Sequence, residues 1–258
     1  MHISLAAEPV FHIGGFPVTN SIINTWIAVL IFLAVAVALK SKKLKNVPSG
    51  LQNFLEYVLE LLLGLIDGVT HNRKKSERFL PIVGTLFLFI LISNWMGQLP
   101  GTGSIGWSEH GKILPFLRPG TSDLNTTLAL AVFAVLTTHV YGVVTIGFFK
   151  YANKFVYLGG LWKALKTFNP MNIFTAIINF FIGIIEFFSE ISKTVSLSLR
   201  LFGNIFAGEV LLTVMASLIA FIVPIPFMFL ELLVGAVQAT IFAMLTIVFL
   251  EVATSEAH

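Results

Sequence analysis

The chain contains no cysteine, which excludes disulfides, thiol catalysis and thiolate metal sites. Charge is almost as scarce. Charged residues make up 11% of the 258, against roughly 25% in a soluble domain. Residues 1–20 hold no lysine or arginine, so the basic n-region of a secretory signal is missing. The net charge of +3 is small and is not gathered into a nucleic-acid patch. His2 and His12 have no carboxylate or cysteine beside them in sequence, so no metal or cofactor site is expected. Apolar residues, by contrast, reach 56%, and mean hydropathy is +0.90. These proportions describe an all-α polytopic membrane protein, read as a single membrane domain over residues 1–258. The 25 phenylalanines are read as lipid-facing or packing residues.

About five crossings are expected. Residues 1–20 carry Gly14-Gly15 between short apolar pairs, which suits a small hairpin or an extended surface segment. Residues 22–39 form a first span of about bilayer length. Residues 51–69 are apolar but carry Glu56, Glu60 and Asp67 at i, i+4 and i+11, one face of an amphipathic helix. Residues 79–96 and 124–149 are the second and third spans, with Asp123 suited to cap the latter. Residues 101–124 form a glycine- and proline-rich loop and 150–169 a basic one. Residues 171–222 then run without a proline until Pro224 and Pro226, and a last helix covers 228–252. At 1.5 Å per residue the 171–222 helix far exceeds one perpendicular crossing, so the C-terminal hairpin must be strongly tilted.

Eight of the 16 lysines and arginines lie between residues 40 and 78, and four lie between 150 and 166. The positive-inside rule makes both segments cytoplasmic. The N-terminal segment and the 101–124 loop are then outside, and five crossings return the C-terminus to the cytoplasm. Glu190 and Glu251 fall near the cytoplasmic interface and are read as solvated.

Arg200 sits in the middle of the long apolar run. Arginine does not lose its proton at any relevant pH, and in lipid it costs several kcal/mol unless it faces water or a partner. Helical rotation of about 100° per residue sets Glu186, Ser189, Lys193, Ser196 and Asn204 within about 40° of Arg200. They form one polar stripe. Gly203 and Ala207 beside it are small enough to admit a close neighbour. Glu209 falls on roughly the opposite face, ~13 Å further along. On the last helix, Glu231 and Gln238 are seven residues apart and share a face. Antiparallel packing brings Gln238 toward the depth of Arg200. Two carboxylates at membrane depth repel if both are ionised, so one is protonated or water reaches them. A simpler reading is that Arg200 pairs with a buried acid and pins two helices. Ser189 and Ser196 also have a bland alternative, bonding back to their own helix carbonyls.

The segment SLSLRLFGNIFAGEVLL (196–212) closely resembles the signature of subunit a of F-type ATP synthases. NWMGQLPG (94–101), SDLNTTLALA (122–131) and VGAVQATIFAMLTIVFLEVA (234–253) are similar to family segments in the same order, so the resemblance covers nearly the whole chain. It implies a non-catalytic, ion-translocating subunit that provides two offset half-channels against a rotating c-ring. Arg200 matches the family's essential arginine, which would face the ring carboxylates and block a leak between the half-channels. Asn204, Glu209, Glu231 and Gln238 match outer half-channel positions, and Glu186 and Ser189 match cytoplasmic ones. Asn94, Asp123 and Asn125 match polar positions at the outer entrance. Implied partners are the c-ring, the subunit b peripheral stalk, the rest of the ATP synthase and the lipid bilayer. The implied location is the bacterial plasma (inner) membrane rather than a thylakoid. Two departures stand out. Many relatives pair a histidine with a carboxylate where this chain has Glu209 and Glu231, which leaves the proton-holding group open. Where a bacterial relative has an aspartate in the Asn94 segment, this chain has Gly97.

The ion, H⁺ or Na⁺, is left open, because its selecting carboxylate lies mainly on subunit c. The competing class is a proton-coupled secondary transporter, with Arg200 binding an anion. Inverted repeats would favour it, and the spans and basic loops do not repeat. A self-contained channel would need a pore-lining repeat or a symmetric oligomer.

Overall fold

The computed structural model describes residues 7–41, 47–99, 106–109, 112–115, 118–155, 170–219 and 222–255. His2, Lys42, Lys43, Lys45, Lys163 and Lys166, which entered the sequence reading, lie outside these residues. The chain begins with a hairpin, β1 (Pro9–Ile13) and β2 (Phe16–Thr19), turning at Gly14-Gly15. Seven helices follow among the described residues: α1 (Asn20–Ser41), α2 (Leu51–Thr70), α3 (Arg73–Met96), α4 (Leu124–Ile146), α5 (Phe148–Phe155), α6 (Pro170–Leu218) and α7 (Pro224–Thr254). Of these, α1, α3, α4, α6 and α7 are long and apolar enough to cross a membrane. The expected all-α, five-span architecture is therefore present.

Several boundaries differ from expectation, each for a local reason. The second span begins at Arg73 rather than 79, because the Asn72 side chain caps it by accepting from Lys74 N and Lys75 N. The basic cluster thus forms the first turns of α3. The third span stops at Ile146 rather than 149, since Gly147 takes a positive φ of 94° that ends the helix. The next residues fold as α5, where only a loop was expected. The last helix starts at Pro224, not 228. Proline fits a first turn, where its missing N–H has no intrahelical partner to lose. The 101–124 loop contains a second hairpin, β3 (Gly106–Glu109) with β4 (Lys112–Pro115), and a 3₁₀ turn at Gly120–Ser122. Asp123 caps α4 as expected, accepting from Asn125 N at 2.9 Å.

Two apolar clusters hold the bundle together. Leu86, Ile90, Ala131, Ala134, Leu197, Leu201, Ile205, Ala239 and Phe242 join α3, α4, α6 and α7. Ile66, Phe79, Val83, Ala243, Ile247 and Leu250 join α2, α3 and α7. In the second half of α6 the buried residues, at 197, 198, 201, 205 and 208, recur at helical spacing and leave the opposite face open. Its first half is barely covered, with Phe174, Phe181, Ile185 and Phe188 all exposed. A helix of 49 residues is about 74 Å long, more than twice the ~30 Å hydrocarbon core. It must lie far from the membrane normal.

The two ends of the bundle are fastened by polar contacts. At one end, Ser21 Oγ on α1 donates to Asp123 Oδ2 at 2.8 Å. At the other, Lys75 Nζ on α3 meets Glu251 Oε1 on α7 at 2.6 Å. Glu251, read as solvated, is thus half of an inter-helix ion pair.

Candidate functional site

Arg200 lies on the open face of α6. Its side chain is exposed, and its Nη2 donates to Ser196 Oγ one turn back, at 3.4 Å. No described acid forms an ion pair with it. The reading of Arg200 as a pin between two helices therefore fails. Asn204, Ser189, Ser196, Gly203 and Ala207 are exposed on the same helix. A Cβ added at Gly203 meets nothing, so this strip is open at the level of the backbone. On the side toward α7, Arg200 shares a narrow cleft with Leu197, Leu201, Gln238, Ile241 and Phe242. Arg200 and Gln238 thus sit at one depth, as the antiparallel reading required.

Glu231 lies deeper in the fold. It is 5% exposed and shares the inward face of α7 with Gly235 and Gln238. Its carboxyl packs on the backbone of Gly208, filling the space a Cβ would need. This explains the glycine in the segment AGE, where any side chain would collide with the carboxyl. One oxygen, Oε1, has no hydrogen-bond partner among the described residues. The Gly208–Glu231 and Arg200–Gln238 approaches belong to one antiparallel pair. Eight residues forward on α6 correspond to seven back on α7.

Glu209 points away from Arg200, as its angle predicted, and finds a cation that sequence reasoning treated only as a loop charge. Arg118 Nε lies 3.0 Å from Glu209 Oε1 and 3.1 Å from Oε2. Arg118 is 5% exposed, and its guanidinium stands 5.8 Å from the centre of the Phe206 ring. Nothing in the local sequence reveals a contact to a residue 91 positions away.

The three expected entrance residues are all at this end of the bundle. Asn94 is buried, donating to Gly235 O at 2.9 Å and accepting from Thr121 Oγ1 at 2.6 Å. Trp95 Nε1 donates to Leu232 O at 3.0 Å. Together they hold α7 on either side of the turn after Glu231. Asp123 is buried as a cap and as the acceptor for Ser21. Asn125 is exposed.

On the other half of α6, Glu186 is half-buried and Ser189 exposed. Glu190, read as solvated, is instead the centre of a cluster. It accepts from Lys193 Nζ at 2.6 Å and lies 3.8 Å from His139 Nε2. Nδ1 of His139 meets Tyr151 Oη at 2.7 Å. Burial, with the negative charge of Glu190 and then Glu186, pushes the Tyr151 phenol up to about 12. Lys193 caps the ring of Phe249 at 5.0 Å. Sequence angles grouped Glu186 and Lys193, but His139 and Tyr151 come from α4 and α5.

The class of protein defined by these features is a multi-pass helical membrane protein with an exposed arginine on an open helix face that has no acidic ion-pair partner among the described residues. A family model described as ATP synthase A chain matches residues 22–251, and the chain belongs to that family. It is 35% identical over 241 residues to the ATP synthase subunit a of Moorella thermoacetica, covering 93% of each chain. The subunit a of Gloeobacter violaceus is 35% identical over 230 residues, covering 88% of this chain and 80% of the relative. That of Trichlorobacter lovleyi is 34% identical over 239 residues, covering 93% and 89%.

Proposed function

We propose that the chain is the proton-conducting stator subunit of an F-type ATP synthase, working against a ring of carboxylate-bearing subunits in a bacterial inner membrane. The observation that carries this reading is the exposed Arg200, with no acidic partner among the described residues, on a strip of small and polar residues. A bare guanidinium in lipid is costly without a counter-charge, and no described acid of this chain supplies one. A passing carboxylate on the ring supplies it.

The N-terminus and the Arg118 end face outward, and the basic turns around Arg73 and the C-terminus face the cytoplasm. A proton enters at the outer end by way of Glu209, Glu231 and Asn204, beside Gln238, and neutralises a ring carboxylate. Only the neutral form can move into lipid, because an unpaired carboxylate there is too costly. After nearly a full turn the carboxylate ionises near Arg200. The proton then leaves along Glu186 and Ser189. Asn125 lies at the outer mouth, while Asn94 and Asp123 hold its walls. The remaining partners are the peripheral-stalk subunit b and the soluble ATPase.

The test is Arg200→Ala in the complete complex, reconstituted in vesicles. Loss of proton-driven ATP synthesis is expected, and synthesis at a near wild-type rate would overturn the reading.

A further inference from the structure

The proposed exit half of α6 carries a second cluster, gathered from three helices. Glu186, Glu190 and Lys193 recur at i, i+4 and i+7, so they share a face of α6. Opposite them, α5 lies close on α4 because Gly142 leaves room for the Tyr151 ring, which a Cβ there would strike. The Tyr151 hydroxyl is thereby set 2.7 Å from His139 Nδ1, while the other ring nitrogen, Nε2, faces Glu190 Oε2 at 3.8 Å. Lys193 engages the same carboxylate at 2.6 Å. Glu186 belongs to this corner too, since its charge acts on the Tyr151 phenol together with that of Glu190. The His139 side chain is 27% exposed, so water reaches it. An imidazole with an oxygen at each nitrogen can hold one proton or two. The neutral ring has one N–H and the imidazolium two, and a phenol oxygen serves as donor or acceptor.

We propose that His139 is a proton-exchanging group at the cytoplasmic mouth of the path, and that Tyr151 is a positioning residue that holds its ring. This rests on the stator reading above. In the direction of synthesis, a proton that has left the ring carboxylate and reached Glu186 passes through water to Nε2 of the neutral imidazole. One N–H bond forms, and Glu186 returns to a carboxylate. The imidazolium donates from Nδ1 to the phenol oxygen and points its Nε2–H toward Glu190. It then releases the Nε2 proton to cytoplasmic water, and the neutral ring is restored with its hydrogen on Nδ1. The phenol keeps its own proton throughout, because burial and the two carboxylates push its ionisation up to about 12. Histidine suits the place, as the side chain that ordinarily exchanges protons between about pH 5 and 8. It stands seven residues before Ile146, the end of α4, ~10 Å along the axis. That depth joins the interior of the bundle to cytoplasmic water. Among the described residues, the charged and titratable groups at this corner are Glu186, Glu190 and Lys193 on α6 and Tyr151 on α5, with Lys150 exposed beside it. On α7, Phe249 lies under Lys193 and Glu251 is turned to Lys75, while Tyr141 of α4 is turned to Arg78.

The experiment uses the complete ATP synthase in proteoliposomes with its cytoplasmic side outward, so that the buffer sets the pH at the proposed mouth. ATP-driven proton pumping is compared between wild type, His139→Gln, His139→Ala and Tyr151→Phe, per assembled complex and as a ratio to wild type at each pH. In His139→Gln, pumping is expected to fall ~100-fold at about pH 8, the scale of a lost proton-transfer group. The deficit shrinks toward about pH 5, where free protons are plentiful enough to bypass the residue. Imidazole added to the buffer restores pumping in His139→Ala, because it carries the same proton-exchanging group into the vacated space. Tyr151→Phe keeps the pH dependence of wild type at a rate about fivefold lower, the scale of one neutral hydrogen bond. A deficit in His139→Gln that does not vary with pH, with no rescue of His139→Ala by imidazole, would overturn the proposal and leave the cluster as a tie between α4, α5 and α6. So would His139→Gln pumping at the wild-type rate. If the His139 variants do not assemble, Tyr151→Phe decides alone, and a wild-type rate in it overturns the proposal. Failure of the stator reading looks different: wild-type vesicles then show no pumping that depends on Arg200, whatever the His139 variants do.

Discussion

Arg200 and Arg118 are chemically identical side chains in opposite situations. Arg200 is exposed on the open face of α6 and hydrogen-bonds to Ser196 of its own helix. Arg118 is buried, paired with Glu209 and packed on Phe206. One has its charge paired inside the chain, and the other has no acidic partner among the described residues. A buried ion pair that loses one partner leaves an uncompensated charge, whereas an exposed residue can be removed with little effect on the fold. Under the proposed function, the difference separates what this protein uses to stay folded from what it uses to act.

The sharpest way to test that contrast is to remove both charges in turn. Arg200→Ala should abolish proton-driven ATP synthesis while the complex assembles and melts within about 0.5 kcal/mol of wild type. Arg118→Gln should instead destabilise the chain by about 3–5 kcal/mol, read as a lowered melting temperature of the purified complex. If Arg200→Ala melted as early as Arg118→Gln, the contrast would be broken. Gly208→Ala tests the packing behind it. A methyl group has no space beside the Glu231 carboxyl, so about 1–3 kcal/mol of overpacking and a fall in proton flow are expected together. Asn94→Ala should cost about 1–3 kcal/mol by leaving Gly235 O and Thr121 Oγ1 without their partner, again visible on melting. The smallest effect is spectroscopic. Tyr151 should ionise at about 12, followed by phenolate absorbance, and Glu190→Gln should move that midpoint down by removing the nearest negative charge.

The helices were legible because hydropathy is a local property. Runs of bilayer length announced four of the spans. The unbroken stretch after Pro170, closed by Pro224 and Pro226, announced the hairpin and its tilt. Boundaries slipped where capping chemistry competed with hydropathy, at Asn72 before a basic turn and at Gly147 inside an apolar one. Arg200 was legible by cost alone, since no apolar run tolerates arginine without a use for it. Angular arithmetic along one helix put Glu209 opposite Arg200, and the structure agrees. It could not bring in partners from other helices. Arg118 for Glu209, His139 for Glu190 and Lys75 for Glu251 all escaped it. Gly203 drew notice as the small residue of the motif. Gly208, five residues on, is the one that receives a carboxyl.

The sequence by itself determined that this is a five-span helical membrane protein built around a charged residue in an apolar helix. Those properties follow from transfer energies and helical geometry that each segment carries alone. Only the tertiary structure decided which charges are spent inside the fold. Pairing depends on which helices meet, and helix contacts are set by apolar faces far apart in the chain. Arg118 and Glu209 therefore meet only once α4, α6 and α7 have packed, while Arg200 is left facing outward by that same packing.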